Sequence, residues 1–580
     1  MNNRLKSFLT GSFAVVLAFG AVTVCSMTTF ADTKIPIDAA HFPDKAFREH
    51  LKMETYDDNE DGYLSSSEIE DITDFRCGDC GVKDLTGIEY LTNLQSLFAM
   101  ENELTELDVS KNLKLNEIRC EKNKLTKLDV SKNTKLEILT CWNNPIESLD
   151  VSNNPELVTL SCGKTKITSL DISKNTKLTT LWAENLGLTE IDVSKSKDFW
   201  SINVSGNKLK SLDVSGYTDL ESLYCDNNEL ETLNVSGCTK LTKLICNDNN
   251  IKELDVSSST RLYDLLCQGN QIASLNLAGC ESLALAYSCN EKEKDGYITY
   301  TYSSDGDIRL YVDKDTVITF DPLQIDDTVK TLDLKCGSVG SPKIKGSDAQ
   351  TQVKSSDTSV VRVIKGNTVY AVKAGYSTLT VTCDGKDYEV KIRVLYKDVE
   401  DSSKFWFEPT YALTEKGVVK GYDKQTNFKP GNKCTRAQMV TFIWRLAGSP
   451  EPETKECKFS DVKEKDYFYK ACLWGNEKGI VEGYKDGTFQ PQVVCARRHA
   501  VTFLWRLAGK PEPAGDKTKF TDVFKDISEK DYFYKACLWA SEKKIVAGYE
   551  DNTFRPWGDC LRRQMVTFLY KYDKFVNAKK

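Results

Sequence analysis

Residues 136–156 read LEILTCWNNPIESLDVSNNPE. The stretch has two halves, L-x-x-L-x-C-x-x-N-x-I and then L-D-V-S-x-N. Apolar alternation marks a short strand in each half, and Asn marks each turn. The same phase recurs along the chain. Leu94, Leu115, Leu136, Leu157, Leu178, Phe199, Leu220, Leu241, Leu262 and Leu283 stand 21 residues apart without a break. One such coil cannot bury its own apolar face, so the coils must stack into a continuous core. The period predicts a solenoid over 72–290, with 72–91 as a slightly longer first coil.

Three rows follow from the stacking. Cys77, Cys120, Cys141, Cys162, Cys225, Cys246 and Cys267 share one repeat position with small residues such as Ala99 and Val204. This predicts a buried ladder of thiols acting as small hydrophobes. Cys77-Gly-Asp-Cys80 is then a chance C-x-x-C. Phe98, Trp182, Tyr224 and Tyr287 fall on the outward position after the second leucine, with Trp200 and Tyr263 nearby, and exposed aromatics on one face suggest a contact surface. Asp108, Asp129, Asp150, Asp171, Asp192, Asp213 and Asp255 form a third row. Stacked like charges repel, so these carboxylates must be solvated, hydrogen-bonded or ion-bound. The pattern resembles the leucine-rich repeat family in its short bacterial-surface form. That resemblance implies a scaffold for an unknown protein or glycan ligand.

Residues 57–68 read DDNEDGYLSSSE and fit the D-x-[DN]-x-[DN]-G-x5-E loop throughout. Asp57, Asn59 and Asp61 offer side-chain oxygens, Tyr63 its carbonyl, Ser65 a water-mediated position and Glu68 two oxygens. Helical patterns flank the loop, and it predicts one structural Ca2+ in an N-terminal cap over 32–71.

Of 580 residues, 28% are charged and 40% hydrophobic, which excludes a wholly disordered or multi-spanning chain. From Tyr396 onward 34 Lys and Arg face 26 Asp and Glu, a balance of +8, against −16 before it. Any polyanion partner therefore belongs at the C-terminal end. Arg4, Lys6, the apolar run 8–24 and Thr29-Phe30-Ala31 read as an export signal over 1–31. No later apolar run is long enough to span a membrane. Export permits disulfides.

After a β capping segment at 291–324, residues 325–395 alternate as strands. Ser355-Ser356-Asp357, the strand Val369-Tyr370-Ala371-Val372 and the turn Ala374-Gly375 resemble a group 2 bacterial immunoglobulin-like domain, which implies a β-sandwich spacer. Cys336 and Cys383 lie on its predicted strands as candidates for a bridge.

The C-terminal part repeats three times. FSDVKEKDYFYKACLWGNEKGIVEGYKDGTFQP recurs as FTDVFKDISEKDYFYKACLWASEKKIVAGYEDNTFRP, after a weaker first copy from Asp398. Each copy ends in F-x-P-x-x-x-C-x-R and an apolar helix. The repeats strongly resemble the surface-layer homology (SLH) family, with copies at 396–455, 456–515 and 516–580. The resemblance implies an all-α anchor of three two-helix copies. It also implies non-covalent attachment to an anionic, often pyruvylated, secondary cell-wall polysaccharide. Arg436, Arg497 and Arg562 match the family's Arg, and Asp398, Asp461 and Asp522 its early Asp. An Arg beside the free N–H groups of a helix start makes a carboxylate site. The family's T-R-A-E reads TRAQ, ARRH and LRRQ here, so only Thr435 keeps the full cap. Aligned copies suggest the bridges Cys472–Cys495, Cys537–Cys560 and Cys434–Cys457.

The chain thus reads as multidomain: a leucine-rich-repeat β-solenoid, an Ig-like β-sandwich and an all-α SLH anchor. The expected protein is a secreted surface protein on the wall of a Gram-positive-type bacterium, with the solenoid as its binding face. The alternative is a structural surface-layer subunit that self-assembles through the solenoid. With three histidines (His41, His50 and His499), no G-x-S-x-G and no H-E-x-x-H, no enzyme and no nucleic-acid binder is expected.

Overall fold

A computed structural model describes residues 34–53, 55–302, 308–347, 349–514 and 524–578. The signal segment 1–31 and Asp522 lie outside these. The chain divides into two compact units, through Leu157 and from Val158.

In the first unit, helix α1 (Lys45–Leu51) starts where the Asp44 side chain accepts from Phe47 N at 2.8 Å. Its buried face, Phe47 and Leu51, meets Phe75 and so closes the open end of the first coil. Helix α2 (Ser66–Asp71) has a reciprocal Ser65–Glu68 capping box. Strands Asp74–Arg76, Ser96–Phe98, Glu117–Arg119 and Ile138–Thr140 then pair in parallel, each 21 or 22 residues after the last. Their central residues, Phe75, Leu97, Ile118 and Leu139, are fully buried.

The second unit continues this pattern with strands Thr159–Ser161, Thr180–Trp182, Ser201–Asn203, Ser222–Tyr224, Lys243–Ile245 and Asp264–Leu266. The repeat that Leu283 was expected to open as a strand is instead helix α3 (Glu281–Tyr287). A hairpin of Asn290–Lys294, Tyr297–Tyr302 and Ile308–Asp313 follows, and its last strand pairs in parallel with Asp264–Leu266. The α3–hairpin segment thus ends the ladder and covers its last edge. Two four-stranded sheets come next. One runs Pro322–Ile325, Val339–Ile344, Val369–Ala371, Val361–Val363, and the other Thr331–Lys335, Lys386–Leu395, Gly375–Cys383, Gln352–Ser355. Their alternating inner residues, among them Ile344, Val361, Leu379, Val381 and Ile392, share one core.

The ladder cysteines Cys77, Cys120, Cys141, Cys225, Cys246 and Cys267 are buried free thiols, and Cys162 is buried among them. Burial pushes Cys77 and Cys267 up to about 12, which leaves them unreactive at neutral pH. The Asp row is hydrogen-bonded. Asp108, Asp129, Asp150, Asp171, Asp192, Asp213 and Asp255 each accept from the amide of the serine two residues on, at 2.8–2.9 Å. These amide bonds, each aimed at a carboxylate, offset the repulsion along the row.

Among the described residues the C-terminal region holds six α-helices: α4 (Phe407–Glu415), α5 (Arg436–Leu446), α6 (Tyr469–Glu477), α7 (Arg497–Leu507), α8 (Tyr534–Glu542) and α9 (Arg562–Asn577). Each second helix packs on the first helix of the next copy. The contacts are α5 on α6, α7 on α8 and α9 back on α4, so the three copies close cyclically around one core.

Candidate functional site

Each SLH copy sends an arginine into the next. Arg436 Nε donates to Phe489 O at 2.9 Å and Nη2 to Glu482 O at 3.2 Å. Arg497 does the same to Phe554 O and Ala547 O, at 2.7 and 3.1 Å. Arg562 closes the circle on Phe428 O and Lys420 O, at 2.9 and 3.0 Å. Each guanidinium also lies over aromatic rings, for Arg562 those of Phe428 at 4.4 Å and Tyr422 at 4.7 Å. Arg436, Arg497 and Arg562 are only 4%, 3% and 2% exposed.

The aspartates hold the same loops from the other side. Asp398 accepts from the amides of Phe428 and Lys429, and Asp461 from those of Phe489 and Gln490, at 2.5–2.7 Å. In the third copy this role belongs to Asp526, which accepts from Phe554 N at 2.8 Å and Arg555 N at 2.7 Å. Asp522 was the wrong choice. The stretch FTDVFKDI nearly duplicates itself, and its second half, with buried Phe524 and Ile527, takes the place of Phe459 and Val462.

The helix starts are not open to an anion in the expected way. The amides of Arg436 and Ala437 donate to Val493 O and Pro491 O. Those of Arg497 and Arg498 reach Gly558 O and Pro556 O, and those of Arg562 and Arg563 reach Asn432 O and Pro430 O. The first two N–H groups of each helix therefore serve closure between copies, and the matched arginines are braces rather than surface ligands.

The suggested bridges are corrected likewise. Cys336, Cys383, Cys434, Cys457, Cys472, Cys495, Cys537 and Cys560 are free thiols. Cys434, Cys495 and Cys560 do not face the first helices of their own copies. They meet each other, Cys434 N donating to Cys560 O, Cys560 N to Cys495 O and Cys495 N to Cys434 O at 2.7–3.0 Å. Cys472 instead has Cys457 as a neighbour. Cys336 Sγ donates to Val372 O at 3.5 Å, and Cys383 lies 3.6 Å from Ser347 Oγ.

Sequence reasoning passed over the residue after each brace. Arg498 and Arg563 are partly exposed there, where the first copy has Ala437. The doubled Arg of ARRH and LRRQ was the signal.

On the solenoid, Trp182 and Trp200 are 45% and 48% exposed, with Tyr263 and half-exposed Tyr224 on neighbouring coils. Asp264 is buried beside Arg309 at 2.5 Å and Lys243 at 3.5 Å. One expected member falls away from this face: Tyr287 is on α3, packed on Tyr300 and Phe320. In the first unit Phe98 is half-exposed on its strand, with the Arg76 guanidinium 3.9 Å from its ring centre.

In the 57–68 loop, Asp57 and Glu68 are buried, 1% and 5% exposed. Asp57 accepts from the amides of Asp61 and Gly62. Glu68 accepts from Asp58 N, Asn59 Nδ2, Ser65 N and Ser65 Oγ at 2.7–3.1 Å. Tyr63–Leu64 pairs with Ile35–Pro36. Among the described residues no three His, Cys, Asp or Glu side chains converge on one point. The donor types, oxygens throughout with two buried carboxylates, fit a hard cation.

The S-layer homology domain model matches residues 395–440, 458–497 and 523–566. The third match starts after Asp522 and includes Asp526. A cellulosome-anchoring protein of Acetivibrio thermocellus is 30% identical over 158 residues, 26% of this chain and 34% of that protein. Exoglucanase XynX of Acetivibrio thermocellus is 28% identical over 204 residues, 34% of this chain and 18% of its own. The chain thus spans about a third or less of these relatives' lengths. Among solved structures, the functional domain of InlJ from Listeria monocytogenes is similar at 21% identity and a TM-score of 0.39, covering 63% of this chain and 99% of that one. The chain carries three SLH domains and is a cell-wall surface protein. No helix among the described residues is long and apolar enough to cross a membrane.

Proposed function

We propose that the three SLH copies hold this protein non-covalently on an anionic, often pyruvylated, secondary wall polysaccharide, while the solenoid presents a face for a protein or glycan ligand. The observation that carries the reading is the cyclic closure of the three matched copies. At each junction the start of one copy's second helix meets the loop of the next, in a region whose sequence balance is +8. The role is binding rather than catalysis. The two-sheet segment, read as an Ig-like spacer, stands between anchor and face. Full-length protein should sediment with purified walls, and less so as salt rises, because partly exposed charges are screened. Stripping the polymer should abolish sedimentation; equal binding to stripped walls would refute the anchor.

The exposed Trp182 and Trp200 support the solenoid face as the ligand-binding part. Ca2+ in the 57–68 loop belongs to the same proposal. Asp57, Asn59, Asp61 and Glu68 would hold it with Tyr63 O, Ser65 contributing through a water. Bound Ca2+ would stabilise the cap by about 2.7 kcal/mol at a hundredfold excess over Kd. Amides of residues 57–72 should therefore exchange more slowly in Ca2+ than in chelator, and Asp57→Ala should erase the difference. Identical exchange of the unmutated chain in both conditions would leave the loop an ion-free turn.

A further inference from the structure

The three junctions between SLH copies are not equivalent. After the brace arginine stand Ala437, Arg498 and Arg563 in turn. Opposite them, after the proline of the next copy's loop, stand Gln492, Trp557 and Gly431. Where the second copy meets the third the guanidinium stacks closely on an exposed indole, whereas Arg563 lies 5.6 Å from the ring of partly buried Trp406. The Arg498 guanidinium carbon is 3.5 Å from the Trp557 ring centre. Trp557 is 69% exposed, so this stack lies open to solvent.

Arg498 forms no ion pair among the described residues, its Nε is buried without a hydrogen-bond partner, and its side chain otherwise reaches the Tyr532 hydroxyl. Tyr532, 59% exposed, and Tyr484, 38% exposed, border the same groove. The charges that act on Tyr532 there are those of Arg498 and Arg436. The second copy also departs at the next position. Gln438 and Gln564 donate to the hydroxyls of Tyr422 and Tyr549, at 2.8 and 3.1 Å. His499 replaces that glutamine, and its Nδ1 is buried without a partner. Burial, then Arg498 and Arg436, lower its pKa to about 3, so it is neutral at working pH. The groove therefore holds a positive charge, an exposed indole, two tyrosines and unused nitrogen atoms.

We propose that the groove between the second and third copies is the dominant carboxylate-recognition site of the anchor, with Arg498 binding an acidic sugar's carboxylate and Trp557 and Tyr532 packing on the sugar rings. A planar guanidinium held on an aromatic face is oriented for two parallel bonds to a carboxylate. The groove closed by Arg563 faces Gly431 and has only the more distant, partly buried indole of Trp406, so it is a weaker site. The groove beside Ala437 has no guanidinium at this position. This inference rests on the wall-polymer reading above.

The test uses the full chain and purified walls, with and without their polymer. Arg498→Ala and Trp557→Ala should each weaken sedimentation with polymer-bearing walls at least tenfold, and Arg563→Ala only a few fold. Arg498→Ala should also flatten the salt dependence. Trp557 is exposed, so its variant should melt as the unmutated chain does, which separates lost binding from lost folding. Wild-type-like binding by both Arg498→Ala and Trp557→Ala, with the unmutated chain still polymer-dependent, would overturn the assignment of this groove alone. Failure of the unmutated chain to distinguish stripped from intact walls would overturn the wall-polymer reading, and this assignment with it.

Discussion

Arg562→Ala is expected to open the SLH module at the junction of its last and first copies. The substitution leaves Phe428 O and Lys420 O without their donor inside the protein. A buried acceptor left unmet costs about 1–3 kcal/mol, which applies in full to Phe428 O and only in part to Lys420 O, a carbonyl nearer the surface, so the loss is about 2–4 kcal/mol. The contacts of the guanidinium with Phe428, Tyr422 and Phe442 are lost as well. Arg562→Lys should recover only part, because an ammonium cannot present the same fork to two carbonyls. Exchange of amides in α4–α9 should quicken by orders of magnitude, while the two-sheet segment at 322–395 keeps its protection. Arg436→Ala and Arg497→Ala should act alike, since all three arginines make the same pair of bonds to the next copy. Unchanged protection in Arg436→Ala would mean that the intact Thr435 cap, not the brace, holds that junction. Such a cap contributes only about 0.5–2 kcal/mol.

The solenoid was legible because each coil's environment is its neighbours, and the neighbours are copies in the sequence. Leu97, Ile118 and Leu139 are buried for the reason that their period announces. The end of the repeat was less legible. Leu283 keeps the spacing, but its coil becomes α3, and Tyr287 turns inward on Tyr300 and Phe320. In the C-terminal region, spacing announced three copies that each end in an apolar helix, and the family resemblance implied the first helix of each. They could not show that closure joins residues as far apart as Arg562 and Phe428. Without that closure, a helix-start arginine looks like an anion site, and a cysteine 23 residues from another in its own copy looks like its partner. The cyclic arrangement instead brings Cys434, Cys495 and Cys560 together from three copies. The third-copy aspartate was recoverable by counting. Asp461 precedes Phe468 by seven residues, as Asp526 precedes Phe533, whereas matching FTDV to FSDV by letters selected Asp522.

Asn123→Ala should loosen the stacking of the first four coils. The Asn123 side chain sits between coils and bonds there through its amide group and its carbonyl oxygen. Its Nδ2 donates to Ala99 O at 2.9 Å and Cys120 O at 3.0 Å, and its Oδ1 accepts from Leu104 N at 2.9 Å. Asn102 and Asn144 repeat the arrangement one coil either side. Alanine would leave Leu104 N unmet in a dry interior and take one of two side-chain donors from Ala99 O and Cys120 O, which keep Asn102 and Asn144, a loss of roughly 1–3 kcal/mol. Asn123→Asp should be no better, because a carboxylate oxygen would then face two carbonyls. The chain contains its own intermediate case. Thr165 occupies the same repeat position, and its hydroxyl donates to Cys162 O at 3.0 Å. A hydroxyl can satisfy one of the two carbonyls that an amide reaches, so Asn123→Thr should fall between Asn and Ala. Amide exchange across residues 94–157 gives the order directly. If Ala and Thr at 123 protect these coils as well as Asn does, the inter-coil bonds are not what holds the stack, and burial of the leucine and cysteine rows alone must do so.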